Sequence, residues 1–225
     1  MLVAFGITFG AYAHLILLNV PLTAFSLACI IIGVTLIITP STPVPKEVVR
    51  AMVESACTNI EALLEEFQVS GRAIYILGRD GRVYTFIPLT SNPHKVGIDD
   101  VARAPIRVLT RVKEVSGLIL FPPGSDLPKL SGLTSGLGVE EALRHVLVDY
   151  VEGVEGVRVV RDGDRIFIDI VKPTIKTSYP RFVRALGSLA TCLSGCTLAY
   201  ILNKPVVFED EWVGKASLRA TFRVG

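Results

Sequence analysis

Two apolar runs, residues 2–18 and 22–38, open the chain, and the first Lys, Arg, Asp or Glu anywhere in it is Lys46. Between the runs sits Asn19-Val20-Pro21, where the proline has no backbone donor and disfavours helix at the residue before it. One helix across both runs would be ~55 Å long against a hydrocarbon core of roughly 30 Å, while each run alone covers about 25 Å. The pattern therefore predicts a transmembrane helical hairpin over residues 1–39. Thr39-Pro40-Ser41-Thr42-Pro43-Val44-Pro45 follows, and residues 40–45 read as a Pro-rich, semi-extended linker.

From residue 46 onward the pattern changes. Val48, Val49, Met52, Val53, Ala56, Ile60, Leu63, Leu64 and Phe67 recur at helical spacing, with Glu54, Glu61 and Glu65 on the other side, which is an amphipathic helix. Ser70-Gly71 stops it. Two β-rich runs, 73–77 and 82–87, then flank Arg79-Asp80-Gly81, a hairpin signal because glycine supplies the positive φ of a tight turn.

The same order returns twice. A helix over 140–151 precedes strands over 157–160 and 165–170 around Arg161-Asp162-Gly163, and a helix over 182–202 precedes strands over 206–213 and 217–224 around Gly214-Lys215. Repeated α-β-β units at about 46–88, 139–173 and 180–225 are the reading; convergent wiring of unrelated segments is the alternative. Between the first two units, Ile106, Val108, Thr110 and Val112 alternate with Arg107, Leu109, Arg111 and Lys113, a half-exposed strand that 118–121 can pair with. The run from Pro122 to Gly138 reads as a long mobile loop. The fold class expected is α+β: a two-helix transmembrane hairpin followed by a domain, residues 46–225, whose mainly antiparallel sheet is covered by helices.

Composition sharpens the first inference. Half of the 225 residues are hydrophobic, and 23 basic side chains against 21 acidic ones leave a formal charge of +2, which gives no reason to propose a nucleic-acid partner. A cleavable signal peptide is the main rival reading, but it wants a positively charged leading region and a small-residue cleavage site after the apolar run, and Met1-Leu2-Val3 offers only the amino terminus. Basic residues after the second run and an uncharged loop between the runs favour both ends of the hairpin, and the domain, on the cytoplasmic side of the cell membrane.

Gly6, Gly10 and Ala13 in the first run, with Ala24, Ala28 and Gly33 in the second, are small residues spaced so that helix backbones can approach closely in lipid. Packing within the hairpin is the plainer use of that face, and homo-oligomerisation through it the sharper one. His14 is the one histidine in the apolar runs, placed within about a turn of the loop.

Chemistry-bearing clusters in the domain are sparse. Cys192 and Cys196 share a helix face and form half of a metal site, but His94 and His145 are isolated, so small buried residues packing beside Gly187, Ala190 and Gly195 explain the pair more cheaply. Gly132, Gly136 and Gly138 precede a helix, yet Glu140-Glu141 puts negative charge where a phosphate would sit. Asp99-Asp100 and Glu209-Asp210-Glu211 are carboxylate clusters; strict alternation along a strand would set Glu209 and Glu211 on one face and Asp210 on the other. Trp212 is expected at a core edge. Lys95, Arg103, Arg107, Arg111 and Lys113 form a basic segment suited to anionic headgroups.

No cofactor is implied. The partners expected are the lipid bilayer, a second copy through the hairpin, and an unidentified protein. The function read from these features is a membrane-anchored, non-enzymatic interaction or scaffold domain; a membrane-tethered small-molecule sensor is the alternative, and an enzyme without a recognisable motif comes third.

Overall fold

The computed structural model describes residues 1–38, 46–90, 107–134, 136–174 and 178–225. The expected linker, residues 40–45, lies outside them, as do His94, Lys95, Asp99, Asp100 and Arg103. Two compact units divide the chain, Met1–Arg50 and Ala51–Gly225.

The first unit holds α1 (Leu2–Leu15) and α2 (Val20–Ile38). Both boundaries differ from those the apolar runs suggested. Leu18 takes a left-handed φ of 46°, which ends the first helix early. Asn19 then caps the second: its Oδ1 accepts from Leu22 N at 3.2 Å. Pro21 consequently falls in the first turn, where no donor is needed.

The two helices pack through small residues. A Cβ on Gly6 would stand 2.7 Å from Ile30 Cγ1, one on Gly10 would stand 2.7 Å from Ser26 Oγ, and one on Gly33 would stand 2.6 Å from Val3 Cγ2. Ala13 is fully buried, whereas Ala24 and Ala28 lie exposed, and Ser26 and Cys29 take the contact expected of them. The hydroxyls of Thr8, Thr23, Ser26 and Thr35 each donate to a carbonyl of the preceding turn, at 2.7–3.0 Å. No hydroxyl among these depends on water for its hydrogen bond.

In the second unit α3 (Lys46–Glu66), which begins before the unit boundary, leads to β1 (Ile74–Leu77) and β2 (Val83–Pro88). The hairpin β3 (Leu109–Val112) and β4 (Val115–Leu120) follows, then the short α4 (Leu127–Leu130). Helix α5 (Val139–Arg144) runs into a π-helical segment, His145–Tyr150, before β5 (Gly156–Asp162) and β6 (Arg165–Val171). The chain closes with α6 (Pro180–Leu186), α7 (Leu189–Leu202), β7 (Val206–Val213) and β8 (Ser217–Val224).

All eight strands form one antiparallel sheet in the order β3-β4-β2-β1-β7-β8-β6-β5. The α-β-β order occurs three times, and each time the two strands are neighbours in the sheet. The helices before them differ in build: 21 residues without a break, an α-helix continued as π-helix, and a pair broken in the middle.

That break corrects the single helix expected over 182–202. Gly187 has φ 82°, which ends α6, and Ser188 caps α7 by accepting from Thr191 N. Residues 180–202 are long and apolar enough to cross a membrane, but 78% of the stretch is buried inside the domain, so it is a core element. The mobile loop expected over 122–138 is likewise partly built in: Pro128 is buried in α4 and Leu133 is 7% exposed.

The main core lies between the helices and one sheet face. Ile166, Ile168 and Ile170 of β6 and Leu218, Ala220 and Phe222 of β8 point into it with Leu64 of α3, Leu143 of α5 and Leu198 of α7. The period of two along each strand sends every second residue there. On the other face a smaller cluster of Ile74, Ile76, Phe86, Ile119 and Val207 is also buried. The β5, β6 and β8 part of that second face instead carries Arg158, Arg165, Asp169, Arg219 and Arg223.

Candidate functional site

Helix α7 is buried along Leu189–Ala199, and its small residues allow it to lie directly on the sheet. A Cβ on Gly195 would stand 2.6 Å from the Tyr75 ring of β1. The Tyr75 hydroxyl donates to Leu186 O at 2.7 Å, and its ring meets Phe222 edge-on at 6.3 Å. Cys192 and Cys196 are completely buried beside it, and Cys57 of α3 belongs to the same core.

Two of these thiols, Cys57 and Cys196, sit in chemistry that keeps them protonated. Burial pushes Cys57 up to about 11, with Cys192 and Glu54 adding to the shift. Burial also raises Cys196 well above its usual value, and Cys192 beside it raises it further. The thiolate is the nucleophile and the metal ligand, so this is a packing cluster. Among the described residues no group of three or more His, Cys, Asp or Glu could hold a metal ion. His145 is engaged elsewhere, with Nε2 2.9 Å from Ser131 O.

The acidic run of β7 is arranged by a bulge. Phe208 faces Phe222 and Asp210 faces Thr221, so Glu209 is an extra residue in the strand. Beyond it every side chain changes face. This overturns the alternation expected for 209–211. Glu209 reaches the charged face, where Oε2 is 3.0 Å from Arg165 Nε and Oε1 is 3.2 Å from Arg223 Nε. Asp210 pairs with Arg72 at 3.2 Å. Glu211 turns to the helix side, and its Oε2 accepts from Ser188 N at 2.7 Å.

The bulge also moves Trp212 outward. Expected at a core edge, it is 63% exposed and stands opposite Arg219 in the register. Arg219 grips Asp169 of β6 through both donors, Nε to Oδ1 at 2.6 Å and Nη2 to Oδ2 at 2.9 Å, which holds the Asp169 carboxyl below the usual carboxylate range. Asp169, Trp212, Ser217 and Arg219 line an open depression of about 500 Å³. An apolar void of about 10 Å³ beside Leu147, Val151 and Leu193 has room for about one water.

The remaining sequence candidates are scattered. Arg107, Arg111 and Lys113 are exposed along the sheet-edge strand β3 and its flanks, while Thr110 and Val112 are buried. Glu140, just after the glycine run, caps the other sheet edge: its Oε2 accepts from Val159 N at 2.9 Å. His14 is exposed in the last turn of α1. Sequence reasoning missed the Asp169–Arg219 pair because cross-strand neighbours come from register, which no local signal carries. It missed Glu61 because the packing of α3 against α6 joins residues some 120 apart in the chain; that carboxylate accepts from the first-turn N–H groups of Arg181 and Phe182, at 3.1 and 2.7 Å.

Comparison of the chain with protein-family models, with curated proteins and with solved structures finds no match in any of the three.

Proposed function

We propose that this chain is an integral membrane protein whose N-terminal hairpin spans the cell membrane and carries an interaction or scaffold domain on the cytoplasmic side. The observation that supports the anchor is the outer surface of α1 and α2. Phe25 and Leu27 are 57% exposed and Ile31 is 58% exposed, while the contact between the helices uses Gly6, Gly10, Ser26 and Gly33. Large apolar side chains outside and small ones inside reverse the arrangement of a water-soluble helix pair and match helices solvated by lipid.

Length agrees for one helix and strains the other. Helix α2, with 19 residues, spans ~28 Å, while α1, with 14 residues, spans ~21 Å. A short span is met by local thinning of the bilayer. Basic residues beyond α2 and an uncharged connection between the helices favour the cytoplasmic orientation.

Interaction rather than catalysis is supported by where the polar groups stand. Cys57 and Cys196 are buried and hold their protons, a void beside Leu147 and Leu193 is only about 10 Å³, and the polar groups that converge do so on the open sheet face as arginine–carboxylate pairs. Such a surface is rich in arginine, a residue enriched in protein contact patches.

Deleting residues 1–45 and floating cell extracts on a density gradient tests the anchor. The full chain should rise with lipid and resist alkaline extraction, and the truncated chain should stay in the load. A full chain that remains soluble without detergent removes the proposal.

A further inference from the structure

The turn between β7 and β8 presents a small cluster of exposed apolar and basic side chains. On its β1 side β7 is paired through Val206 and Val207, with Phe208 N donating to Ala73 O at 2.9 Å, so among the described residues no other strand of the sheet flanks the far end there. Trp212 and Val213 point to opposite faces of that end, and both are open, at 63% and 66% exposure. Gly214 N donates to Ser217 O at 2.8 Å to close the turn. The indole folds over it, since a Cβ on Gly214 would stand 2.9 Å from the ring. Val171, exposed and opposite Ser217 in the register, adds apolar surface, and Lys172 N ties the neighbouring strand to Ala216 O at 2.9 Å. Lys215 is exposed at the tip, and no acidic residue occurs from Trp212 to Leu218.

We propose that this tip, Trp212, Val213 and Lys215, rests in the headgroup layer of the bilayer that the N-terminal hairpin spans, as a second membrane contact. The inference rests on the anchoring proposed above. An indole is apolar with a polar edge and prefers the membrane–water interface, and a lysine beside it reaches the phosphates. The depth is shallow, because the unpaired strand edge carries backbone donors and acceptors that hydrocarbon cannot satisfy.

Size decides for lipid over protein. A stable protein interface buries about 800 Å² on each partner, far more than these few side chains offer. A tethered domain needs much less: seven residues separate α2 from α3, a reach of at most ~25 Å. The bilayer surface is therefore always at high effective concentration.

Trp212 is the only tryptophan in the chain, so its fluorescence reports the contact directly. The full-length protein is reconstituted into vesicles of ordinary lipid and of lipid brominated near the headgroup end of the acyl chains. The expected result is a blue-shifted emission that brominated lipid quenches and aqueous iodide does not. Val213→Asp, at an exposed position, should abolish the quenching while the circular dichroism stays unchanged. Emission indifferent to bromine, or quenching that survives Val213→Asp, overturns the proposal; shielding from iodide without quenching by bromine assigns the tip to a protein partner and overturns it too. Flotation of the same vesicles separates the two ideas: protein that floats but is not quenched sinks this inference and leaves the anchor standing, and protein that does not float sinks the anchor.

Discussion

Glu211 and Ser188 join the last helix of the domain to the middle of its sheet: the carboxylate of β7 accepts the Ser188 N–H at 2.7 Å, at the N-terminal end of α7. The same device appears one helix earlier, where Glu61 of α3 accepts from Arg181 and Phe182 at the start of α6. Both broken halves of the 180–202 stretch are thus capped by carboxylates from elsewhere in the fold, where the helix dipole favours negative charge. Glu211→Ala should cost about 1–3 kcal/mol, and Glu211→Gln, which keeps an oxygen acceptor, should cost less. Denaturant unfolding of the full chain in detergent, followed by Trp212 fluorescence, gives the order. Equal losses for the two variants would show that the charge and the acceptor contribute nothing separately.

Close approach of α7 to β1 makes a second prediction. Gly195→Ala places a methyl group against the buried Tyr75 ring and should destabilise by about 1–3 kcal/mol through overpacking. Gly156→Ala, where nothing stands within 4 Å of the added carbon, should lie within about 0.5 kcal/mol of the parent. A shift in thermal midpoint that is the same for both would contradict the packing described.

The Asp169–Arg219 pair gives a pH dependence with a definite sign. Arg219 lowers the folded-state value of Asp169, so the contribution is present above the unfolded carboxyl value of about 3.9. It fades as pH falls through the lower folded value. Exposure of both partners to solvent keeps it small. Asp169→Asn should therefore be less stable than the parent at neutral pH, and the gap should close in acid. A gap that stays constant with pH would place the cost of the variant elsewhere.

Buried thiols carry the opposite sign. Cys57, raised to about 11 from a usual value of 9.0, holds its proton more tightly in the folded state. Its contribution is complete below about pH 9 and is lost as pH rises through that window. Cys57→Ala should flatten the fall in stability between those values, whatever it does to stability at neutral pH. Alkylating reagents should leave Cys57 and Cys196 untouched in the native protein and label both after unfolding. Rapid native labelling would show that the core opens there.

By itself the sequence determined the elements whose signals are local. Apolar runs without charge set the two leading helices, and the period of four in 46–67 set α3. Asp80-Gly81 and Asp162-Gly163 placed two turns, and Gly214-Lys215 placed the turn that bounds β7 and β8, because a strand ends where its turn chemistry begins. Even there, Leu18 and Pro21 moved the helix boundaries by a few residues, since a proline is as welcome in a first turn as it is unwelcome in a helix interior.

What only the tertiary structure decided is everything that depends on which strands become neighbours. Glu209 became a bulge because β7 must match β8 on one side while Glu211 reaches Ser188 on the other, and that single extra residue sent Trp212 outward. The helix over 180–202 broke at Gly187 because the sheet and α3 each offer a carboxylate to a helix start. Asp169 found Arg219, fifty residues away in the chain, through the register of β6 on β8. Such partners are chosen by the free energy of the whole sheet and its core, and no window of a dozen residues contains that information.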